Sequence, residues 1–222
     1  MIVKSSKYKD MRFYSRERVE EITQSLEEIV VIPVNEAFEG ENRVYSLGEM
    51  EEILRSADKI ASGKCGCRRE YGNCNSPLDG CISLDTVADY YLENEPSTDN
   101  TISVEKALEL LRKSHDAGLV HISYTMKDDK RPGLICSCCP CCCHTLGSLV
   151  RDGTHPKMLT SKYIARNDAE SCIRCGKCVD RCAFDARVLT NEVLLYDSTR
   201  CFGCGLCLST CPNNAISLTP RE

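Results

Sequence analysis

Apolar residues recur at intervals of three and four along three stretches in the first part of the chain, which is the spacing of one face of an α-helix. Each stretch follows a serine that can cap a helix N-terminus, and Gly118 is placed to end the third. The pattern therefore predicts three amphipathic helices. Their serines and apolar positions are Ser15 with Val19, Ile22, Leu26, Ile29 and Val30; Ser46, opening the capping box Ser46–Glu49, with Met50, Ile53, Leu54, Ala57 and Ile60; and Ser103 with Val104, Ala107, Leu108 and Leu111.

Shorter apolar runs predict further elements. Val30–Val34 has the length and composition of a short strand, and Thr86–Glu93 has the pattern of a short helix. Near the C-terminus, Val188–Leu189 and Val193–Leu195 flank the turn residues 190–192. This arrangement indicates a β-hairpin.

The pattern also divides the chain. A polar connector covers residues 94–101, and a boundary falls near Tyr163–Asn167, where the helical spacing gives way to a different organisation. We therefore expect an α+β fold with two domains. A mainly helical, cysteine-rich domain would cover residues 1–165, and a smaller domain would cover residues 166–222.

Cysteine sets this composition apart, with 18 among 222 residues. A disulfide scaffold needs export to an oxidising compartment, yet the N-terminus has no apolar signal segment. The longest apolar run, Ile29–Val34, is too short to cross a bilayer. We expect reduced thiols in a cytoplasmic protein without membrane insertion. The formal net charge of -5, with dispersed lysines and arginines, predicts no nucleic-acid binding.

A repeat organises the C-terminal part. Asp168–Ala186 aligns with Asp197–Ala215 at a constant offset of 29 residues, and the aspartate, the four cysteines and the alanine recur. Each copy carries the run Cys-x2-Cys-x2-Cys-x3-Cys. Two copies of one short unit suit a pseudo-twofold domain in which each half completes the other.

This run resembles that of the bacterial-type two-cluster ferredoxins, over residues 168–216. The resemblance implies a compact βαβ-βαβ domain that passes single electrons at low potential. Three cysteines of a run bind one 4Fe-4S cluster, and the fourth is carried to the other cluster. The implied ligands are Cys172, Cys175, Cys178 and Cys211 for the first cluster and Cys201, Cys204, Cys207 and Cys182 for the second.

One position departs from the family pattern. Pro212 follows the fourth cysteine of the second copy, but Ala183 follows that of the first. Alanine restores a backbone N–H at this turn, which affects the local potential more than cluster binding. Zinc also accepts sets of four cysteines, so two zinc sites are the alternative to two clusters.

Four further cysteines lie in the segment 65–81, where glycine, asparagine and proline residues oppose a helix. A flexible loop of this kind can close around a metal centre. We expect a third 4Fe-4S cluster here, with zinc or free thiols as the alternatives, because the spacing belongs to no known run. The four residues are Cys65, Cys67, Cys74 and Cys81.

Six more cysteines fall within the eight positions 136–143. Adjacent side chains point apart, so we expect a subset of them to bind a fourth cluster. The surplus thiols could complete the third site, form a redox-active pair or pack as apolar side chains, and a non-cubane cluster is a bolder variant. Pro140 suits the first turn of a helix whose N-terminus would face the cysteines. The six are Cys136, Cys138, Cys139, Cys141, Cys142 and Cys143.

Together these features predict a low-potential electron-transfer protein that relays single electrons through several 4Fe-4S clusters to a partner oxidoreductase. A cysteine-rich region before a ferredoxin domain is similar to the multi-cluster ferredoxin-like proteins of strict anaerobes, which implies oxygen sensitivity and a redox partner protein as donor or acceptor. One alternative is a reductase whose Cys136–Cys143 segment forms an open or unusual cluster, or a dithiol, that acts on a substrate. Another is upstream zinc that braces a docking domain. No nucleotide, flavin or hydrolase motif is present.

Overall fold

The computed structural model describes residues 6–8, 10–32, 35–39, 42–46, 48–94, 98–153 and 158–221, which form both helices and strands. The strands are β1 (Leu26–Val31), β2 (Asn35–Glu39), β3 (Asn42–Ser46), β4 (Ile60–Lys64), β5 (Asp79–Leu84), β6 (Thr98–Thr101), β7 (Val120–Met126), β8 (Leu134–Cys138), β9 (Met158–Leu159), β10 (Tyr163–Asn167), β11 (Arg187–Thr190), β12 (Val193–Tyr196) and β13 (Ile216–Pro220). The helices are α1 (Arg16–Thr23), α2 (Gly48–Arg55), α3 (Gly66–Tyr71), α4 (Asp85–Asn94), α5 (Val104–Asp116), α6 (His144–Asp152), α7 (Lys177–Asp180) and α8 (Leu206–Ser209).

Seven of the strands form one sheet, in the order β6-β4-β5-β8-β7-β1-β9. Strands β1 and β9 pair in parallel, and the neighbouring strands from β6 to β1 pair antiparallel. Strand β7 lies between β8 and β1 and is buried at six consecutive positions from Val120. Both faces of the sheet are therefore covered at its centre.

The prediction of a mainly helical region upstream of residue 166 is wrong, because this sheet is its central element. Helix α1 ends at Thr23, and the apolar residues predicted to continue it belong to β1. A β-bulge between Leu26 and Glu28 explains the misleading spacing. The extra residue lets Leu26 and Ile29, three positions apart, both be buried in a strand. The predicted strand Val30–Val34 overlaps the end of β1, and residues 33 and 34 lie outside the described residues.

Two of the predicted helix caps are confirmed. The hydroxyl oxygens of Ser15 and Ser103 each accept the backbone N–H three residues further on, both at 3.2 Å. Helix α5 ends before Gly118, whose φ of +84° is readily adopted by glycine. Helix α4 confirms the short helix predicted over Thr86–Glu93. The side chains of the capping box predicted at Ser46 lie outside the described residues.

A hydrophobic core forms where helices α2 and α5 pack on the sheet. Met50 and Leu54 of α2 and Leu111 of α5 are fully buried together with Ile82 of β5 and Ile135 of β8. Full burial of one side chain of this size contributes about 1.5–3 kcal/mol. None of the described residues in this core is a cysteine, so this part of the sheet serves as scaffold. No helix in the described parts of the chain is long and apolar enough to cross a membrane.

The chain from β10 onward forms a unit with internal symmetry. Strand β10 pairs with β13, and the predicted hairpin is confirmed by the antiparallel pairing of β11 with β12. Left-handed backbone conformations recur at the offset of the sequence repeat: φ is +55° at Arg174 and +69° at Gly203, and it is +76° at Gly176 and +81° at Gly205. The two copies therefore share a backbone path as well as a sequence.

This C-terminal unit packs directly on the upstream sheet. Phe184 and Phe202 stack with ring centroids 4.6 Å apart and share a hydrophobic core with Val120 of β7. Arg181 Nη2 donates to the carbonyl oxygen of His115 at 2.6 Å, at the C-terminus of α5, where a cation suits the negative end of the helix dipole. One core therefore joins the two parts of the chain.

Candidate metal centres

The eight cysteines of the repeat line two separate cavities in the C-terminal unit. Each cavity receives three cysteines from one copy of the repeat and the fourth from the other copy. This placement brings together the residues that the resemblance to two-cluster ferredoxins implies for each cluster. The first set is Cys172, Cys175, Cys178 and Cys211, and the second set is Cys182, Cys201, Cys204 and Cys207.

Backbone amides donate to the sulfur of the fourth cysteine in each copy. Ala186 N lies 3.3 Å from Cys182 Sγ, and Ala215 N lies 3.3 Å from Cys211 Sγ. These two contacts are equivalent under the repeat. An N–H that donates to a metal-bound thiolate stabilises the more negative state of a cluster and so raises its reduction potential.

The departure from the family pattern falls where the two parts of the chain meet. Ala183 is buried in the core that the C-terminal unit shares with the sheet, whereas Pro212 of the second copy is exposed. The residues after the two fourth cysteines therefore have different surroundings despite the symmetry of the backbone.

Six upstream cysteines form a closed ring of thiols, which we call the cysteine ring. Each side chain contacts two ring neighbours, and the sulfurs of Cys81 and Cys136 lie 3.8 Å apart. In order around the ring, the residues are Cys65, Cys67, Cys143, Cys138, Cys136 and Cys81.

Strand pairing positions half of this ring. Cys81 of β5 and Cys136 of β8 are cross-strand partners in the antiparallel register. Cys138 follows two residues after Cys136, and side chains two apart on a strand point to the same face of the sheet. The register of β5 with β8 therefore decides which thiols meet.

The N-terminus of α6 supplies another ring member. The helix begins at His144, not at Pro140 as the sequence predicts, because Cys143 is its N-cap and accepts a backbone N–H of the first turn at 3.5 Å. The hydroxyl of Tyr124 lies 3.9 Å from the sulfurs of both Cys138 and Cys143. The hydroxyl itself donates to Thr145 Oγ1 at 3.2 Å. The helix terminus directs partial positive charge at the ring, which favours thiolates.

Four other cysteines form a tighter group, which we call the four-cysteine site. All four sulfurs lie within 4.8 Å of one another. The separation is 3.7 Å between Cys74 and Cys139 and 3.9 Å between Cys141 and Cys142. Arg68 Nη1 lies 3.9 Å from Cys139 Sγ, so a cation adjoins the group. The members are Cys74, Cys139, Cys141 and Cys142.

The structure thus groups the ten upstream cysteines differently from the sequence prediction. Cys74 was expected to share a site with Cys65, Cys67 and Cys81, but its sulfur lies with the 139–142 segment. The physical reason is helix α3, which occupies residues 66–71 inside the segment predicted to be free of helix. This helix separates Cys67 from Cys74 along the chain, and the two residues join different groups.

A cavity of about 230 Å³ adjoins the cysteine ring. All six ring cysteines line it, so the thiols face a common space. Its other lining includes three cations, which reduce the cost of holding the negative charge of several thiolates. These cations are Lys64, Arg68 and Arg69.

Residues 165–218 match the family model described as a 4Fe-4S dicluster domain. We call the matched residues 165–218 the dicluster domain, after the family model that they resemble. The match, together with the eight cysteines, supports a ferredoxin-like domain and suggests electron transfer. No curated protein matches the chain.

Arg187 lies beside both cysteine sets of the dicluster domain, although the sequence analysis missed it. Its side chain is 2% exposed, and Nη1 donates to Asn167 Oδ1 at 2.6 Å. Burial acts to lower the pKa of the guanidinium, but attraction to the thiolate forms of Cys207 and Cys178 outweighs burial and raises it. The repeat could have pointed to this residue, because the second copy has the apolar Ile216 at the equivalent position and a charged residue there breaks the pattern.

Arg68 is a second buried cation that sequence reasoning missed. Its side chain is 3% exposed, and Nη1 donates to the carbonyl oxygen of Ser137 at 2.8 Å. It lines the ring cavity and also contacts Cys139 of the four-cysteine site. An arginine in a polar, glycine-rich segment predicts a solvated side chain, so the sequence offers no signal for this role.

The buried cysteines suit the binding of a metal ion or a cluster, because most of their thiols resist ionisation when no cation is beside them. The hydrogen bond with Cys143 is the largest cause that raises the pKa of Cys67 to about 11, and burial raises the pKa of Cys207 to about 12. In contrast, its hydrogen bond with Cys141 lowers the pKa of Cys139 to about 5. Metals bind thiolates, so a metal at these sites displaces protons and supplies the positive charge that the apolar surroundings lack.

Proposed function

We propose that this chain is an electron-transfer protein whose dicluster domain exchanges single electrons with an iron–sulfur centre held by the cysteine ring and with a partner oxidoreductase. The observation that carries the proposal is the match of residues 165–218 to the 4Fe-4S dicluster domain. When bound, such clusters supply one-electron redox chemistry. The residues of the chain hold the clusters, exclude water and set the local charge.

The packing of the dicluster domain on the sheet supports exchange between the two sites. Cys182 and Cys204 of one dicluster set pack against the same hydrophobic core that contains Cys138 and Cys143 of the ring. The stacked phenylalanines lie in that core. Water is therefore kept out of the region where these two sets of ligands approach each other.

The other dicluster set lies at the surface, where a partner can approach. Cys175 is exposed, and Leu194 of the β11–β12 hairpin lines its cavity. Nearby apolar side chains are also exposed: Ile173 is 58%, Val193 is 55% and Leu195 is 55% exposed. An exposed apolar patch beside a redox site suits transient docking of a redox partner protein.

Iron and sulfide analysis of protein purified without oxygen tests this function. A dicluster domain holds about eight irons, and the proposal requires more than that for each chain. Cys136→Ser should remove the iron of the ring and leave the signals of the dicluster domain in the electron paramagnetic resonance (EPR) spectrum. The matched variant Cys175→Ser should weaken the EPR signals of the dicluster domain and leave the iron of the ring in place. Wild-type protein with about eight irons would contradict an iron–sulfur centre in the ring.

A second function, a reductase, is favoured by the cavity of about 230 Å³ that the ring lines. Lys64, Arg69 and Tyr91 also line this cavity and would orient a small anionic substrate beside the thiols. The test is addition of nitrite, sulfite or an organic disulfide to the reduced protein. A change confined to the signal that Cys136→Ser removes would support the reductase, and unchanged spectra with all three compounds would count against it.

A further inference from the structure

The four-cysteine site differs in size from every other group of cysteines in the described parts of the chain. Its four sulfurs lie within 4.8 Å of one another, and two pairs are separated by 3.7 and 3.9 Å. Among the residues that the structure describes, no other cysteines, histidines or carboxylates bring three ligand atoms this close together. The eight dicluster cysteines are described residues, so their two sets are more open than this one.

The distances between the sulfurs of a cysteine group indicate whether the group can bind a single metal ion or a cluster. In a tetrahedral site with metal–sulfur bonds of about 2.3 Å, the sulfurs lie about 3.8 Å apart. In a 4Fe-4S cluster each thiolate binds its own iron at a separate corner, which places the sulfurs farther apart. Four sulfurs that all lie within 4.8 Å of one another, with two pairs at 3.7 and 3.9 Å, therefore fit a single ion. The dicluster sets are more open and are consistent with clusters, and in the ring the close approach of Cys81 to Cys136 at 3.8 Å is not shared by a third sulfur of the described residues.

The surroundings of the four-cysteine site suit a closed structural ion. Cys139, Cys141 and Cys142 are buried, and all four ligands are sulfur. Arg68 Nη1 lies 3.9 Å from Cys139 Sγ and offsets part of the negative charge of four thiolates. Asn73 Nδ2 donates at 2.7 Å to the carbonyl oxygen of Cys141 and holds the residue beside Cys74 against the 139–142 loop.

We propose that the four-cysteine site binds one Zn²⁺ ion. The ion would connect the loop after α3 to the loop between β8 and α6, two segments that are 65 residues apart at Cys74 and Cys139. Zinc has no redox chemistry, so the site would hold these loops in place beside the ring and take no electrons itself. This inference goes beyond the proposed function and does not depend on it.

Metal analysis of the wild-type protein gives the first test. Protein purified without oxygen from cells supplied with zinc and iron should contain about one zinc for each chain. The zinc X-ray absorption spectrum should show a single shell of four sulfurs at about 2.3 Å. Absence of zinc, or a zinc spectrum with nitrogen or oxygen neighbours, overturns the proposal. This measurement needs no variant, so it stands even if a variant fails to fold.

A matched pair of variants assigns the ion to its ligands. Cys74→Ser, at the half-buried ligand, should lower the zinc content at least fivefold and leave the iron and sulfide content unchanged. The control Cys175→Ser, at the exposed dicluster cysteine, should lower iron and leave zinc unchanged. If Cys74→Ser loses iron and sulfide but keeps zinc, the site holds a cluster and the proposal fails. The proposed function would fail differently, through the wild-type iron content.

Discussion

The dicluster domain and the upstream sheet both concentrate cysteines, but they do so by opposite means. In the dicluster domain the ligands sit at fixed spacing on short loops and on the single-turn helices α7 and α8, and left-handed residues such as Gly176 and Gly205 recur in both copies. In the cysteine ring the ligands come from strands β5 and β8, the α3 segment and the start of α6. Local backbone geometry therefore builds the first kind of site, whereas the second kind exists only after the sheet has formed.

The largest expected contrast is between two glycines: Gly203, beside Cys204 of the dicluster domain, and Gly66, between Cys65 and Cys67 of the ring. Gly203 has φ of +69°, and a Cβ there would lie 2.1 Å from the carbonyl oxygen of Tyr163. Gly203→Ala should therefore lower the free energy of unfolding by about 4 kcal/mol and reduce the iron content, since backbone strain and a backbone clash add. Chemical denaturation followed by circular dichroism, with iron analysis, measures both effects.

The matched control is Gly66→Ala, between Cys65 and Cys67 of the ring. A Cβ at Gly66 would meet nothing within 4 Å, and the residue lies in helix α3, where alanine is favourable. We expect a change of less than about 1 kcal/mol and unchanged iron. Equal effects of the two substitutions would mean that the loops of the two regions are built in the same way.

The core between the two regions gives the next largest effect. Phe184 is 2% exposed and stacks on Phe202 in the core shared with the sheet. Phe184→Ala should cost about 3 kcal/mol of unfolding free energy, because it leaves a cavity in that core. Ile173→Ala, at a side chain 58% exposed, should change stability by less than about 0.5 kcal/mol. A small effect of Phe184→Ala would show that the two regions fold independently.

The sequence predicts the dicluster domain well because its information is local. The spacing groups Cys172, Cys175 and Cys178, the resemblance to two-cluster ferredoxins adds Cys211, and the structure places these residues around one cavity. The sheet was not predicted, although strand β7 alternates strictly between apolar and polar residues, with Val120, Ile122 and Tyr124 among the apolar positions, which is the pattern of a strand. The ring depends on the register of β5 with β8, which no short segment encodes, and so the sequence cannot separate Cys74 from the ring cysteines.

Two buried histidines make the contact between the regions sensitive to acid. Burial, followed by repulsion from Arg181, lowers the pKa of His115 to about 4, and burial, followed by His115, lowers the pKa of His121 to about 3. His115 Nε2 contacts Ser209 Oγ of the C-terminal unit at 2.7 Å. Both rings are therefore neutral at pH 7, and the unfolded chain binds more protons than the folded chain below about pH 6.5.

The stability that these histidines contribute is fully present above pH 6.5 and is lost as pH falls towards 4. Between pH 6.5 and pH 5 each histidine should account for about 1.5 kcal/mol of lost unfolding free energy. Denaturation at a series of pH values should show this slope in the wild-type protein and a smaller slope in His121→Gln. Identical slopes in the two proteins would mean that the rings are already charged when folded.

The smallest predicted effect tests whether the buried charge of Arg187 sets the reduction potential of the dicluster domain. Arg187 is a buried cation beside the thiols of Cys178 and Cys207, and it stabilises the more negative, reduced state of clusters bound there. Arg187→Gln should therefore lower the reduction potential of the dicluster domain by about 60 mV, the equivalent of a tenfold change for one electron. A redox titration followed by EPR measures this shift.

An exposed arginine of the same domain makes the control for that shift. Arg166→Gln removes the same charge from the solvent-facing side of β10, where water and salt screen it, and we expect a shift of less than about 10 mV. If both substitutions lower the potential equally, the net charge of the domain sets it, and the buried position of Arg187 has no special role. If neither does, the amide donors at Ala186 and Ala215 become the main source of tuning. The break in the repeat at position 187 would then reflect packing against Asn167 and not electrostatics.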